Sequence, residues 1–185
     1  VSAGISNAAS YVAGQFGRNR EVFTRFAGDR RYFSWRNWLR QGNPFGMEFI
    51  YHELPRYLPF DFAAFAAAPG RFRAGATDCL TGRATFFDNA DAPLTDVLLA
   101  SSSLPVVGRM ARVNGRRYLD GGIAEPIPFR PALADGYGRR VVVLTRNRGF
   151  RKPSPSRAIR AAIRLKYRRF PALAEAVAHQ HETYN

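Results

Sequence analysis

The chain has 185 residues, enough for a single domain with a substantial core. At 46% hydrophobic, 14% aromatic and 23% charged residues it is globular in composition, which excludes disorder, and no apolar run approaches the roughly 18 residues of a membrane span. A formal net charge of +14 predicts attraction to polyanions, either nucleic acid or anionic lipid surfaces, and says nothing about chemistry.

Taken from the front, Ile5, Ala8, Ala9 and Val12 recur at helical spacing and predict a helix that opens directly behind Ser2. Gly17-Arg18-Asn19-Arg20 marks a break, and Glu21–Phe26 continues as helix. Arg30–Phe45 interleaves arginine with Tyr32, Phe33, Trp35, Trp38 and Phe45. Single-stranded nucleic-acid binders use such interleaving, a substrate-groove wall or lid would share it, and so would an irregular segment whose rings pack on the core. Met47–Tyr57 and Phe60–Ala67 read as helices, with Pro55 and Pro59 ending the first. Phe72–Thr77 and Ala84–Phe87 read as two strands of a hairpin, and Pro93–Ser102 as a helix with Leu94, Val97 and Leu98 on one face. Arg109–Val113 and Arg116–Leu119 flank Asn114-Gly115, the pair that supplies the positive φ angles of a two-residue turn. Val141–Thr145 is a continuous β-branched run, the signature of a strand buried on both faces of a parallel sheet. Arg151–Tyr167 opens with a Pro/Ser segment and becomes a helix, whose basic amphipathic stretch Arg157–Arg168 could lie on an anionic membrane or simply present a solvated face, and Pro171 starts a last helix. Helices alternating with strands predict one α/β domain over 1–185.

Two places carry chemistry. Val1-Ser2-Ala3-Gly4 reads as x-S-x-G, the tail of a G-x-S-x-G nucleophile elbow whose first glycine would stand just before Val1. An elbow serine sits on a strained turn with its hydroxyl exposed, beside helix-start N–H groups that face any developing oxyanion. The plain alternative is Ser2 as a helix N-cap. The second place is Tyr118-Leu119-Asp120-Gly121-Gly122, where two glycines turn the backbone sharply and leave the carboxylate unshielded. It too has a plain reading, as a turn. A serine needs a base to take its proton. His52, His179 and His181 fall in helical or weakly patterned stretches, not in a turn after a strand, which leaves Asp120 as the candidate base. Cys79, the single cysteine, excludes an internal disulfide and any cysteine metal cluster. It fits a reducing compartment and reads as a buried or strand-end residue.

Together with Ala100-Ser101-Ser102-Ser103-Leu104-Pro105, Phe33-Ser34-Trp35-Arg36-Asn37 and Asn43-Pro44-Phe45-Gly46-Met47, these motifs resemble the patatin-like phospholipases, a bacterial branch especially. The resemblance implies a three-layer α/β/α sandwich and hydrolysis of lipid acyl esters by a Ser–Asp dyad without metal or organic cofactor. It makes Ser2 the nucleophile, Asp120 its partner, Ala3 the residue whose N–H gives one oxyanion donor, Gly4 the elbow glycine, and Gly121 and Gly122 the rest of the D-G-G motif. It also implies a chain lacking the family's first strand and glycine-rich oxyanion loop. The natural protein is therefore expected to be longer at this end, and the 185 residues made alone to be unstable and essentially inactive. The expected partner is a phospholipid or other acyl ester, with peripheral contact to anionic membrane from the cytoplasm and no specific nucleic acid. The rival readings are a basic nucleic-acid-binding protein and a catalytically idle lipid-binding scaffold.

Overall fold

The computed structural model describes residues 1–185, the side chain of Gln41 excepted. Helix α1 (Gly4–Val12) buries Ile5 and Ala9 as the spacing predicts, with Ser10 beside them, while Ala8 faces solvent. Helix α2 spans Arg18–Phe26, and α3 (Trp35–Gln41) starts at Ser34, whose hydroxyl accepts the Asn37 N–H. The segment expected to be one helix over 47–57 is instead a π-helical turn, Phe49–Glu53, running into α4 (Leu54–Tyr57). Pro55 has no N–H to return to the preceding turn, so the backbone widens ahead of it rather than ending there. Helix α5 (Phe62–Ala67) is capped by Asp61, which accepts the Ala64 N–H at 2.8 Å.

Strands β1 (Arg73–Asp78) and β2 (Ala84–Asp88) form the expected hairpin. Helix α6 (Leu94–Ser102) follows, and then β3 (Ala111–Val113) and β4 (Arg116–Asp120) close on Asn114 and Gly115, whose φ angles of 48° and 78° are those a two-residue turn demands. The four strands make one antiparallel sheet in the order β2-β1-β4-β3. Short α7 (Arg130–Ala134), then α8 (Arg157–Lys166) and α9 (Pro171–Tyr184) complete the chain.

Alternation along β4 decides what covers each face of the sheet. Tyr118 packs with Ala74, Ala76, Val97, Ile5 and Phe65, which come from β1, α6, α1 and α5. Leu119, its neighbour, packs with Cys79, Ile163, Tyr167, Leu173 and Val177, under α8 and α9. Helix α8 thus directs Ile163 inward, and Arg164 pairs with Glu175 of α9 at 3.1 Å, so part of its apolar and basic surface is engaged within the protein. Cys79 is fully buried, and burial pushes its thiol up to about 12, which keeps it protonated and inert.

One expectation fails. Residues 141–145 form no strand and lie exposed, Val141 by 92%. A strand buried on both faces needs hydrogen-bonding neighbours and helices above and below. None of the four strands pairs with this run, and every pairing in the sheet is antiparallel rather than parallel.

Candidate active site

Ser2 and Asp120 lie 118 positions apart in sequence, and the end of α6 brings them together. The Ser101 carbonyl accepts the Ser2 N–H at 2.9 Å and the Gly121 N–H at 3.4 Å. The Ser103 carbonyl accepts the Asp120 N–H at 2.7 Å, and the Ser102 hydroxyl donates to the Ser2 carbonyl at 3.2 Å. The Ser102 hydroxyl in turn accepts from the Tyr51 hydroxyl at 3.0 Å. Three consecutive serines therefore stitch the turn before α1 to the end of β4. Ser101 also donates to the Gly75 carbonyl at 2.7 Å, tying the same point to β1.

Ser2 stands at φ 54°, in the left-handed region that non-glycine residues rarely occupy. A nucleophile elbow calls for such a turn, whereas an N-cap has extended backbone. Its side chain contributes no cap to α1, whose N-cap position is Ala3. The first turn of α1 leaves the N–H groups of Ala3 and Gly4 without helical partners beside the serine. Gly4 itself meets no atom within 4 Å where a Cβ would stand, so its neighbours in the structure do not demand glycine.

Asp120 is 4% exposed. Its Oδ1 accepts the Gly122 N–H at 2.7 Å, while Oδ2 is buried without an aligned partner. Burial raises the carboxyl above the ordinary carboxylate value, and the nearby Ser2 hydroxyl and the Gly122 N–H oppose that rise, as do positive charges including Lys152. The carboxylate thus has one oxygen anchored and one unengaged, with the serine hydroxyl beside it. The β4 backbone beneath is held by Thr77, whose hydroxyl donates to the Asp120 carbonyl at 2.8 Å. Gly121 is required by space: a Cβ there would stand 2.1 Å from the Gly75 carbonyl oxygen. At Gly122 a Cβ would press on Asp120 Oδ1 at 3.1 Å.

Ser2 opens onto a cavity of about 300 Å³ between α1, α2, the π-helical turn and α6. Its walls are mostly apolar, with Val22, Phe45, Ile50, Leu54, Phe60 and Leu98 among them. A concave, mostly apolar pocket of this size is the usual setting of a small-molecule site. Of the aromatic–arginine segment, Tyr32 and Phe45 join the cavity wall, whereas Trp35 and Trp38 are exposed by 72% and 51%.

The three histidines stay away from this chemistry: His52 stands 3.9 Å from Glu48, and His179 lies between Glu175 and Glu182. His181 is largely enclosed on α9, its Nδ1 unpartnered. Among the described residues no cluster of three or more His, Cys, Asp or Glu side chains could hold a metal ion. The motifs left unmarked the supports of the site: Tyr51 and Gly75 carry no local pattern, and the roles of Ser101–Ser103 rest on carbonyl and hydroxyl directions that only packing defines.

A protein of Escherichia coli (strain K12) described as "Uncharacterized protein YjjU" is 28% identical over 152 residues, which are 78% of this chain and 42% of that protein. The chain therefore spans less than half the length of that relative. The family model described as patatin-like phospholipase matches residues 1–133, the stretch that holds Ser2, the serine segment and Asp-Gly-Gly. On that match the chain belongs to the patatin-like phospholipase family.

Proposed function

We propose that this chain carries the catalytic site of a serine acyl hydrolase of phospholipase A type, with Ser2 as nucleophile and Asp120 as its base. The observation that carries the reading is the pairing of a strained, cavity-facing serine with a nearby buried carboxylate that has one oxygen unpartnered. Ser2 Oγ attacks the ester carbonyl as its proton passes to Asp120. The carbonyl oxygen, now negative, lies against N–H groups at the start of α1, that of Ala3 first. The tetrahedral intermediate collapses, the alcohol or lysophospholipid leaves with the proton, and an acyl-serine remains. Water activated by the same carboxylate then releases the fatty acid and restores the hydroxyl. The reading places these residues in the three-layer α/β/α arrangement of the family, of which the described sheet and its covering helices form part.

Contact with a bilayer belongs to the same reading and rests on α3. Asn37 turns inward, its amide donating to the Arg30, Arg31 and Pro44 carbonyls. Trp35, Trp38 and Leu39 share the outward face, between exposed Arg36 and Arg40. Aromatic rings at headgroup depth beside arginine suit an anionic lipid surface, next to the wall of the cavity. This is a sharper candidate for docking than α8, whose inner face is occupied by α9.

Labelling with a fluorophosphonate probe tests the assignment in the full-length protein. Ser2→Ala must abolish labelling and turnover of p-nitrophenyl esters. Labelling that survives the substitution overturns the nucleophile. Absence of labelling in the unmodified protein favours a lipid-binding scaffold or, if single-stranded nucleic acid is retained at physiological salt, the basic binding protein.

A further inference from the structure

The family match ends at residue 133, yet side chains well beyond it reach the aspartate loop. Helix α9 docks through Leu173, Ala174 and Val177 on Leu119 and Ile123, the residues that bracket Asp120-Gly121-Gly122. From its last turns Gln180 donates its amide N–H to the Gly122 carbonyl. The Gln180 Oε1 accepts from Lys152 Nζ at 2.6 Å. Lys152 is fixed at its backbone as well: its N–H donates to Asn185 Oδ1 at 2.8 Å, and Asn185 Nδ2 donates to its carbonyl at 3.1 Å. A half-buried ammonium is thus held through one glutamine to the loop that carries the base.

We propose that Gln180 and Lys152 are positioning residues for the reaction, Gln180 holding the Gly122 carbonyl and Lys152 supplying a fixed positive charge tied through Gln180 to the loop that carries Asp120. The inference rests on the Ser2–Asp120 reading. The Gly122 N–H anchors Asp120 Oδ1, so a clamp on the same residue's carbonyl fixes the plane in which the carboxylate meets Ser2. The charge has a reciprocal signature: Lys152 favours the ionised form of Asp120, and Asp120 favours the ionised form of Lys152 against its burial. The other groups acting on this pair are the Ser2 hydroxyl, Arg146 near Lys152, and Tyr51 across Ser102. A general base works only while ionised, so losing the ammonium moves the acid limb of activity to higher pH.

The test is the pH dependence of kcat/KM on a short soluble ester, using the full-length protein. Lys152→Gln keeps a donor for Gln180 and removes the charge; its acid limb is expected to rise by about half to one pH unit, with an unchanged melting temperature. Lys152→Arg returns the limb to its original position. Gln180→Leu is expected to lower kcat about ten-fold with little change in KM, as the loop loses its clamp. A purely structural role would lower melting temperature and activity together and leave the limb where it was; that result, or an unmoved limb in Lys152→Gln, overturns the proposal. Ser2→Ala run alongside separates the two readings. If Ser2→Ala retains activity both fall, whereas a dead Ser2→Ala with an unmoved Lys152→Gln limb removes only the clamp.

Discussion

The cavity behind Ser2 makes the dependence of rate on acyl length calculable. Its volume is about 300 Å³. At a liquid-like share of about 30 Å³ per methylene-sized group it holds roughly ten carbons. Each methylene moved from water into an apolar site is worth about 0.8 kcal/mol, about four-fold in kcat/KM, and partial solvent contact at the mouth reduces this to two- to four-fold. Monomeric p-nitrophenyl esters of increasing length should therefore gain kcat/KM steadily from four to about ten carbons and then level off. Leu94 opens α6 and lines the cavity, so Leu94→Trp pushes an indole into the acyl space. The plateau should then begin about two carbons earlier, with the four-carbon ester hardly affected. Full-length protein, a substrate series below micelle formation and a melting-temperature control suffice for the assay. A flat series from four to ten carbons refutes the acyl site, and so does a plateau that Leu94→Trp fails to move.

Further outcomes follow from the same geometry. Asp120→Asn keeps the acceptor for the Gly122 N–H and removes the proposed base, so kcat/KM should fall by about 10²–10⁴. The same substitution should stabilise the protein at neutral pH. Because burial raises the folded carboxyl above its unfolded value of 3.8, Asp120 is least costly below that value and its penalty grows as pH rises through the folded pKa. Denaturation of both forms at pH 3 and pH 7 checks the sign; Asp120→Asn should gain on the parent only at the higher pH. Gly121→Ala drives a Cβ to 2.1 Å from the Gly75 oxygen and should cost about 3 kcal/mol or more, read by urea unfolding, with loss of turnover. Asp88 is held at about 2 by hydrogen bonds from Arg73 and Arg71, so its stabilisation is present above 3.8 and lost as pH falls through 2. Screening at this partly exposed site holds the effect to about 1 kcal/mol, and Asp88→Asn should show it at pH 7 and not below pH 2. Replacing Arg36 and Arg40 by glutamine should weaken binding to phosphatidylglycerol vesicles about thirty-fold at low salt and leave neutral vesicles unaffected; indifference to charge would remove α3 as the lipid face.

Much of the local structure is legible in the residues because its causes are local. Helical spacing of apolar residues marks α1 and α6, alternation marks β1 and β2, and Asn114-Gly115 dictates a turn whatever surrounds it. The opening S-x-G and Asp-Gly-Gly identify the two halves of the candidate site, since a strained turn and a glycine-bound carboxylate need those residue types in short order. Where physics beyond a few residues intervenes, local pattern misleads: Pro55 widens a helix rather than ending it, and Val141–Thr145 has β-branched chemistry but no neighbouring strand to satisfy its backbone.

The sequence alone determined the candidate residue types and the segments that carry them. Tertiary structure alone decided that Ser2 and the Asp120 loop share the carbonyl of Ser101, that Tyr32 faces the cavity while Trp35 faces out, and that Lys152 and Gln180 reach the loop from the far end of the chain. The reason is range. Periodicity, caps and turns are set by interactions over three or four residues, whereas the burial that raises Asp120 and the hydrogen bonds that aim it come from groups tens of positions away.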